Sequence, residues 1–321
     1  MTTVGDRVSL RYRVPDGLSD VVGEIQALTP LVSIRTKSGD TVHIAPGDVV
    51  SVRELSHVTV RNSEIRALEH AAALAWPGTE QHWHDGWLLR AGGGYTSRAN
   101  SAVPLHFEAT THALADIQQW YAARDLPAWL ALPDRLLPVT TPGIKATRVL
   151  VRDIEPEDAP ADLPSRPDDR WLRIYERNVP VEVLTAVVDG RVAFATLGGA
   201  GASEATGYGT GASEATGYGT GASEATGYGT AVGRGAVTTA PDGTRWAGIS
   251  CVRVTEDSRR RGHARTVCSA LLGWAAGHGA TRAYVQVLAD NEPAATLYHS
   301  MGFRLHHTLR YLRAESLLPD A

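Results

Sequence analysis

The sequence contains little cysteine and carries little net charge. Its 321 residues include 2 cysteines, Cys251 and Cys268, without a Cys-x-x-Cys pair or a spacing typical of metal sites. The first lies on a predicted strand and the second on the helix that follows, so we interpret both as buried apolar side chains rather than a disulfide. A formal net charge of -4 gives no general attraction to nucleic acid or to an anionic membrane. The composition therefore argues against a nucleic-acid partner.

Long apolar segments are also missing. No apolar run approaches the length of a membrane span, and the first residues, MTTVGDRVSL, lack the apolar core of a signal peptide. We therefore expect a cytoplasmic protein without a membrane partner. A hydrophobic fraction of 43% and a charged fraction of 21% are typical of a globular chain, and the length suggests two or three domains.

A predicted strand that ends at Val254 is followed by a turn containing arginine and glycine, and then by an amphipathic helix. Gly262 and Ala264 have small side chains or none, so a ligand can approach the backbone closely. Since the first N–H groups of a helix are unpaired, its N-terminus favours an anion. The turn at 259–264 therefore has the features of a diphosphate site, although a strand, turn and helix of this kind also occurs without a ligand.

A second segment follows at 291–303. Asn291 precedes Glu292 and Pro293, a pattern typical of a helix N-cap and first turn. Tyr298 lies about two helical turns further on, so both side chains are expected near one face of the helix. Gly302 then ends the helix.

Together, the two segments resemble the GNAT superfamily of acetyl-CoA-dependent N-acetyltransferases. They match V-x-x-x-x-R-x-x-G-x-A and N-x-x-A-x-x-L-Y-x-x-x-G-F, in the order and at the spacing of that family. In the family, the first motif holds the CoA diphosphate, the preceding strand bonds the pantetheine arm, and the tyrosine protonates the departing thiolate. The resemblance thus assigns general acid catalysis to Tyr298 and acetyl-CoA binding to Val252, Val254, Arg259, Arg260, Arg261, Gly262, His263, Ala264 and Asn291.

One position departs from the family pattern. Glu256 stands where many members have proline. A carboxylate near a diphosphate is unfavourable unless Arg259 or Arg260 offsets its charge, so the shape and charge of the strand exit are open.

The resemblance implies an α+β fold with a mixed, twisted sheet flanked by helices, in which the strand ending at Val254 and the strand at 283–288 splay apart to admit the cofactor arm. We assign the catalytic GNAT domain to residues 148–321. Within it, 183–188 and 192–197 are predicted to form a hairpin about Asp189-Gly190. The decapeptide GASEATGYGT occurs three times at 201–230, and we interpret it as a flexible insertion between two strands.

The region before this domain is divided into two parts. Five short predicted strands in residues 1–57 indicate a small all-β barrel, similar in pattern to the Tudor or Src-homology type. Residues 58–147 read as a helix, a hairpin about the glycines at 92–94, a helix and a strand, an order that suggests a degenerate GNAT-like half. In that half, Arg98 and Asn100 either line a substrate pocket or stabilise a turn.

No metal is expected. The histidines at positions 82, 84, 306 and 307 have no carboxylate or cysteine at ligand spacing. No general base can be named, because no Asp or Glu occurs between Trp246 and Val254.

The predicted reaction is transfer of an acetyl group to a primary amine, on a small molecule or a peptide, by direct attack in a ternary complex. Two alternatives remain. The protein could be a non-catalytic regulator that binds acyl-CoA, or a protein acetyltransferase that docks through its N-terminal barrel.

Overall fold

The computed structural model describes residue 2 and residues 4–56, 59–155, 162–198 and 230–317. Apart from Thr230, the repeats predicted to form an insertion at 201–230 lie outside the described residues. No helix within the described ranges is long and apolar enough to cross a membrane.

The N-terminal region forms a five-stranded antiparallel sheet in the order β4-β3-β2-β1-β5. Alternate residues of its strands point inward, and Val8, Leu10, Ile25 and Ile34 form its buried core. The predicted small all-β unit is therefore confirmed. Its strands are β1 (Arg7–Val14), β2 (Gly17–Ala27), β3 (Val32–Thr36), β4 (Thr41–Ile44) and β5 (Val49–Glu54).

The middle region contains two helices, a small sheet and two strands of a larger sheet. β6 and β7 form a hairpin whose turn is Asp85-Gly86, both with positive φ, and β8 pairs briefly with β7. The hairpin was predicted about 92–94, so the turn at Asp85-Gly86 and the strand before it, β6, were not predicted. The elements are α1 (Asn62–Ala75), β6 (Glu80–His84), β7 (Trp87–Ala91), β8 (Val103–Pro104), α2 (Leu114–Ala122), β9 (Trp129–Pro133) and β10 (Ile144–Asp153).

The remaining elements carry both motifs. One prediction here is wrong, since the strand expected at 183–188 is replaced by a short helix that follows Pro180. Val183 and Leu184 point from this helix into an aromatic core with Trp171 and Phe194, and this packing outweighs their strand propensity. The elements are α3 (Asp169–Tyr175), α4 (Val181–Thr185), β11 (Arg191–Leu197), β12 (Ala231–Thr239), β13 (Arg245–Val254), α5 (His263–Gly277), β14 (Arg282–Leu288), α6 (Glu292–Ser300) and β15 (Arg304–Arg313).

A seven-stranded mixed sheet joins the middle and C-terminal regions in the order β11-β12-β13-β14-β10-β15-β9. β13 and β14 run parallel, whereas the other described neighbours in the sheet are antiparallel. β10 lies between β14 and β15 in this sheet. Since β10 spans Ile144–Asp153, the domain boundary expected between 147 and 148 falls inside this strand. Residues 58–147 thus contribute strands to the same sheet as the motifs, and their likeness to a GNAT half stays a prediction.

Helices cover both faces of this sheet. On one face, which we call the α5 face, Leu271 of α5 and Tyr298 of α6 pack with Phe303 against the strands. On the other, the α1 face, α1 packs against β12 and β13, and its Leu68 and Ala72 share a core with Val149 of β10 and Tyr284 of β14. This arrangement confirms the predicted α+β fold with a mixed sheet between helices.

Candidate active site

A cleft opens in the middle of the seven-stranded sheet. β13 and β14 pair only between 246–249 and 282–285, and their last residues have no register with each other. At the same point, Cys251 takes a positive φ of 56° and the pairing of β13 with β12 shifts register. This irregularity turns β13 away from β14, as the resemblance implied. Val252 and Val254 lie on the separated part, half-buried against the α5-face core.

The arginine turn lies at the open end of this cleft. β13 leads through a 3-10 turn into α5, and Gly262 is the N-cap with a φ of 82°. A side-chain atom added at Gly262 would meet nothing within 4 Å, so the approach to its backbone is open. The unpaired N–H groups of α5 therefore face accessible space, beside the exposed side chains of Arg259, Arg260 and Arg261.

Two further features of the turn suit an anionic ligand. A guanidinium nitrogen of Arg259 lies 3.4 Å from a carboxylate oxygen of Glu256 in an exposed ion pair. The positive charge of Arg259 therefore offsets the carboxylate that would otherwise repel a diphosphate. His263, the first residue of α5, has a buried Nδ1 without a hydrogen-bond partner among the described residues. Ala264 follows it, half-buried, and adds only a methyl group.

Asn291 begins the second motif helix. Its Oδ1 accepts a hydrogen bond from the backbone N–H of Ala294 at 3.2 Å, which caps α6. Because β13 and β14 are parallel, the helices that follow them, α5 and α6, both begin at the same edge of the sheet. The structure thus gives Asn291 a capping role next to the cleft, and its contact with a cofactor stays a prediction.

Tyr298 lies on the α5 face and is only 6% exposed. Its ring packs edge-on against Phe303 at 5.6 Å, and its hydroxyl lies beside the Cys268 thiol. Burial, followed by the neighbouring Cys268, raises the pKa of Tyr298 well above its ordinary value. Burial also raises the pKa of Cys268 to about 12, so both groups keep their protons at neutral pH.

The α1 face of the cleft holds two small adjoining cavities. The first lies beside β13 and β14 and the second beneath α1, and each leaves a free volume of about 10 Å³, room for about one water molecule. Arg98 and Gln286 line both cavities, so the two meet at these side chains. The first is also lined by Trp76, Arg234, Ser250 and Tyr284, and the second by Glu69, Arg90 and Tyr311.

A buried carboxylate lines the second cavity, and no sequence motif had indicated it. Glu69 on α1 is 5% exposed and accepts hydrogen bonds from Gln286 and His307, each at 3.1 Å. His307 Nδ1 lies 2.8 Å from His306 Nδ1. Burial and the adjacent His307 lower the pKa of His306 to about 3. One signal was available in the sequence, because Glu69 follows Ile65 by four residues and so interrupts the apolar side of α1.

The two alternatives for Arg98 and Asn100 separate in the structure. Asn100 accepts hydrogen bonds from the backbone N–H groups of Gly92 and Gly94, at 2.8 and 2.9 Å, and therefore stabilises the turn. Arg98 instead points into the cavities. The histidine pairs form no group of three or more possible metal ligands within the described ranges.

The chain matches two family models. One, described as "Rv0428c N-terminal Sm-like domain", covers residues 2–53 and names the type of the small all-β unit. The other, described as "Probable histone acetyltransferase Rv0428c C-terminal", covers residues 62–312. These matches together cover nearly all of the chain that the structure describes.

Named relatives agree with these models. The chain is 45% identical over 324 residues to the "Probable histone acetyltransferase Rv0428c" of Mycobacterium tuberculosis, covering 98% of this chain and 96% of the relative. It is 26% identical over 242 residues to the "Uncharacterized N-acetyltransferase YobR" of Bacillus subtilis, covering 75% and 94%. A solved GCN5-related N-acetyltransferase from Kribbella flavida shares the fold, with a TM-score of 0.50, 14% identity and coverage of 80% and 96%. The chain therefore belongs to the Rv0428c acetyltransferase family and is an acyltransferase of the GNAT type.

Proposed function

We propose that the protein transfers the acetyl group of acetyl-CoA to a primary amine by direct attack in a ternary complex. The observation that supports this most is the separation of β13 from β14 beyond residues 249 and 285. The separated strands leave an opening between an anion-favouring helix N-terminus on the α5 face and polar cavities on the α1 face. Two substrates can therefore meet from opposite faces of one sheet.

The turn and β13 are the elements that would hold the cofactor. Backbone N–H groups after Gly262, the guanidinium groups of Arg259, Arg260 and Arg261, and the unpartnered Nδ1 of His263 suit a diphosphate. The β14-facing backbone of Val252 and Val254 would bond an amide-containing arm, as a neighbouring strand does. Acetyl-CoA supplies the thioester whose carbonyl carbon is attacked.

Two side chains would handle protons on opposite faces. A free alkylammonium has a pKa of about 10.4, so the acceptor must lose a proton before its nitrogen attacks. Glu69 is the one carboxylate among the described residues that line the two cavities, and we assign it the capture of that proton. When the carbon–sulfur bond breaks, Tyr298 would donate its hydroxyl proton to the thiolate.

Thiol release from acetyl-CoA, measured with a panel of amines, tests the proposed reaction. Tyr298→Phe keeps the ring that packs against Phe303 and removes only the proton donor. Since general acid catalysis contributes roughly 10²- to 10⁴-fold and a thiolate leaves partly unaided, we expect kcat to fall about 10²-fold. The affinity for acetyl-CoA should hardly change, because the hydroxyl acts in the chemical step.

Cys268→Ala is the matched control, because it removes the thiol beside the Tyr298 hydroxyl and leaves the hydroxyl itself. We expect its kcat to stay within about threefold of the parent, well below the loss expected for a missing general acid. An unchanged kcat for Tyr298→Phe, with chemistry limiting the rate, would show that the acid role is wrong. Binding of acetyl-CoA without thiol release from any amine would instead favour the non-catalytic regulator.

A further inference from the structure

Building on the proposed acetyl transfer, we infer that the acceptor is a small amine that also bears a carboxylate, and that Arg98 binds this carboxylate in the α1-face cavities. Three guanidinium groups converge there. Arg90 is 3% exposed and Arg234 is 1% exposed. Burial is the main cause of the lowered pKa of Arg90 and of Arg234, which for Arg234 is about 10. Repulsion from Arg98 lowers both pKa values further. The acceptor side of the cleft is therefore strongly cationic.

Two of these arginines are occupied by the protein itself. Arg234 donates to the backbone oxygens of Leu184, Ala75 and Ala186 at 2.6 to 3.0 Å, and its guanidinium stacks over Trp76. Arg90 donates to the backbone oxygens of Trp76 and Ser101, both at 3.3 Å, and to the Ser101 hydroxyl at 3.1 Å. Both therefore tie the end of α1 to the surrounding strands and loops, and have few donors left for a ligand.

Arg98 differs from both. Its guanidinium lies 5.7 Å from the centre of the Trp76 ring, and it lines both cavities. Its Nε is buried without a hydrogen-bond partner, and no carboxylate of the described residues forms an ion pair with it. A planar guanidinium with free donors suits a carboxylate, which it can bind through two parallel hydrogen bonds.

The charges and sizes of the cavities favour a small acceptor of mixed charge. Glu69 and Arg98 line the same cavity, so one end attracts an ammonium and the other a carboxylate. Each cavity leaves a free volume of only about 10 Å³, room for about one water molecule, so the space beside Arg98 and Glu69 suits a small group rather than a bulky segment. A lysine-rich protein segment would instead bring further positive charge to three guanidinium groups. An amino acid or a similar amino-carboxylate matches this pair of charges better.

Matched acceptors test the inference. The test uses an amino acid, its amide and the corresponding amine without a carboxyl group. All three offer the same amine nucleophile, but only the amino acid carries a carboxylate. In the parent enzyme we expect the highest kcat/KM for the acid. In Arg98→Gln that value should fall about 10- to 100-fold, as expected when a charge-assisted pair is lost, whereas the value for the amide should change less than about threefold. The kcat/KM of Arg98→Lys for the acid should lie between the values of the parent and of Arg98→Gln. Lysine keeps the positive charge but cannot form the two parallel hydrogen bonds of a guanidinium.

Arg53→Gln, an exposed arginine on β5, is the control for loss of a positive charge elsewhere. Calorimetry with the N-acetylated amino acid gives a readout that does not need turnover, and we expect binding to the parent and weaker binding to Arg98→Gln. Equal kcat/KM for acid and amide in the parent, equal losses of both in Arg98→Gln, or a lysine peptide that surpasses every acid would each overturn the inference while acetyl transfer stands. Absence of thiol release with every amine would contradict the proposed function, and calorimetry would still decide whether Arg98 binds a carboxylate.

Discussion

The two faces of the seven-stranded sheet are built from different chemistry. The α5 face is an apolar core in which the hydroxyl of Tyr298, the proposed general acid, lies beside the Cys268 thiol. The α1 face buries charged groups, with Glu69, Arg90 and Arg234 each no more than 5% exposed. Burying a charged group costs free energy unless hydrogen bonds offset the loss of water. Stability alone therefore does not explain why the α1 face carries charged residues. In the proposed reaction, the apolar face serves the cofactor, which backbone groups can hold, and the charged face selects the acceptor.

The largest expected effect tests whether the buried charge also supports the fold. Arg234→Leu would leave the carbonyls of Leu184, Ala75 and Ala186 without their donor, so we expect the free energy of unfolding to fall by about 3 to 5 kcal/mol. Denaturant unfolding followed by circular dichroism measures this loss. Arg234→Lys keeps the charge with fewer donors and should lose less.

Cys268→Ala provides the comparison on the α5 face. It removes one buried sulfur from an apolar core, for which we expect a loss of about 1 kcal/mol. If Arg234→Leu is no less stable than Cys268→Ala, the two faces contribute to stability in the same way and the contrast between them fails.

An intermediate effect is expected at the turn that begins α5. Gly262→Asp places a carboxylate where the diphosphate is expected, and we expect the Kd of acetyl-CoA, measured by calorimetry, to rise at least about tenfold, or 1.4 kcal/mol. The positive φ of Gly262 disfavours any side chain, but Asp and Asn tolerate that region better than most residues. Gly262→Asn therefore controls for shape and backbone strain without the charge.

For Gly262→Asn we expect a rise in Kd of less than about threefold, because it adds no repulsion of the anion. The same loss in both variants would mean that strain, rather than charge, weakens binding. An unchanged affinity in Gly262→Asp would place the cofactor away from this turn.

The sequence was sufficient for features that depend on local geometry. Gly262 and the helical spacing after it predict the α5 turn, and alternating apolar residues predict the strands of the N-terminal sheet. The splayed pair followed from the family resemblance rather than from the strands themselves. Local propensity failed at 181–185, where packing against Trp171 selects a helix.

The α1-face groups were beyond sequence reasoning for a different reason. Glu69 meets Gln286 across 217 positions of the chain and His307 across 238. Arg98 lies in a loop, and nothing in its neighbours shows which cavity it lines. Contacts of this range depend on the order of strands in the sheet, where β10 separates β14 from β15. A charge on an apolar helix face, as at Glu69, is the one local sign that such a contact exists.

The smallest expected effect concerns pH and the histidine pair beside Glu69. The pKa of His306 is about 3 in the folded protein and ordinarily 6.5, mainly because burial disfavours the charged ring. Between these values the unfolded chain binds a proton that the folded protein does not, so this contribution to stability is full above 6.5 and decreases as the pH falls towards 3. The groups acting on His306 are His307, Arg282 and Arg135, all of which oppose its protonation.

His306→Asn keeps a hydrogen-bonding group near His307 and removes the titration. Each pH unit within this window corresponds to at most about 1.4 kcal/mol. We therefore expect the free energy of unfolding of the parent to fall by about 1 kcal/mol more than that of the variant between about pH 6 and pH 5. Urea unfolding at each pH measures the difference, and subtraction of the two curves cancels the other titrating groups. Parallel curves would mean that His306 is hydrated or charged in the folded protein, and the α1 face would then be less sealed from water than its burial indicates.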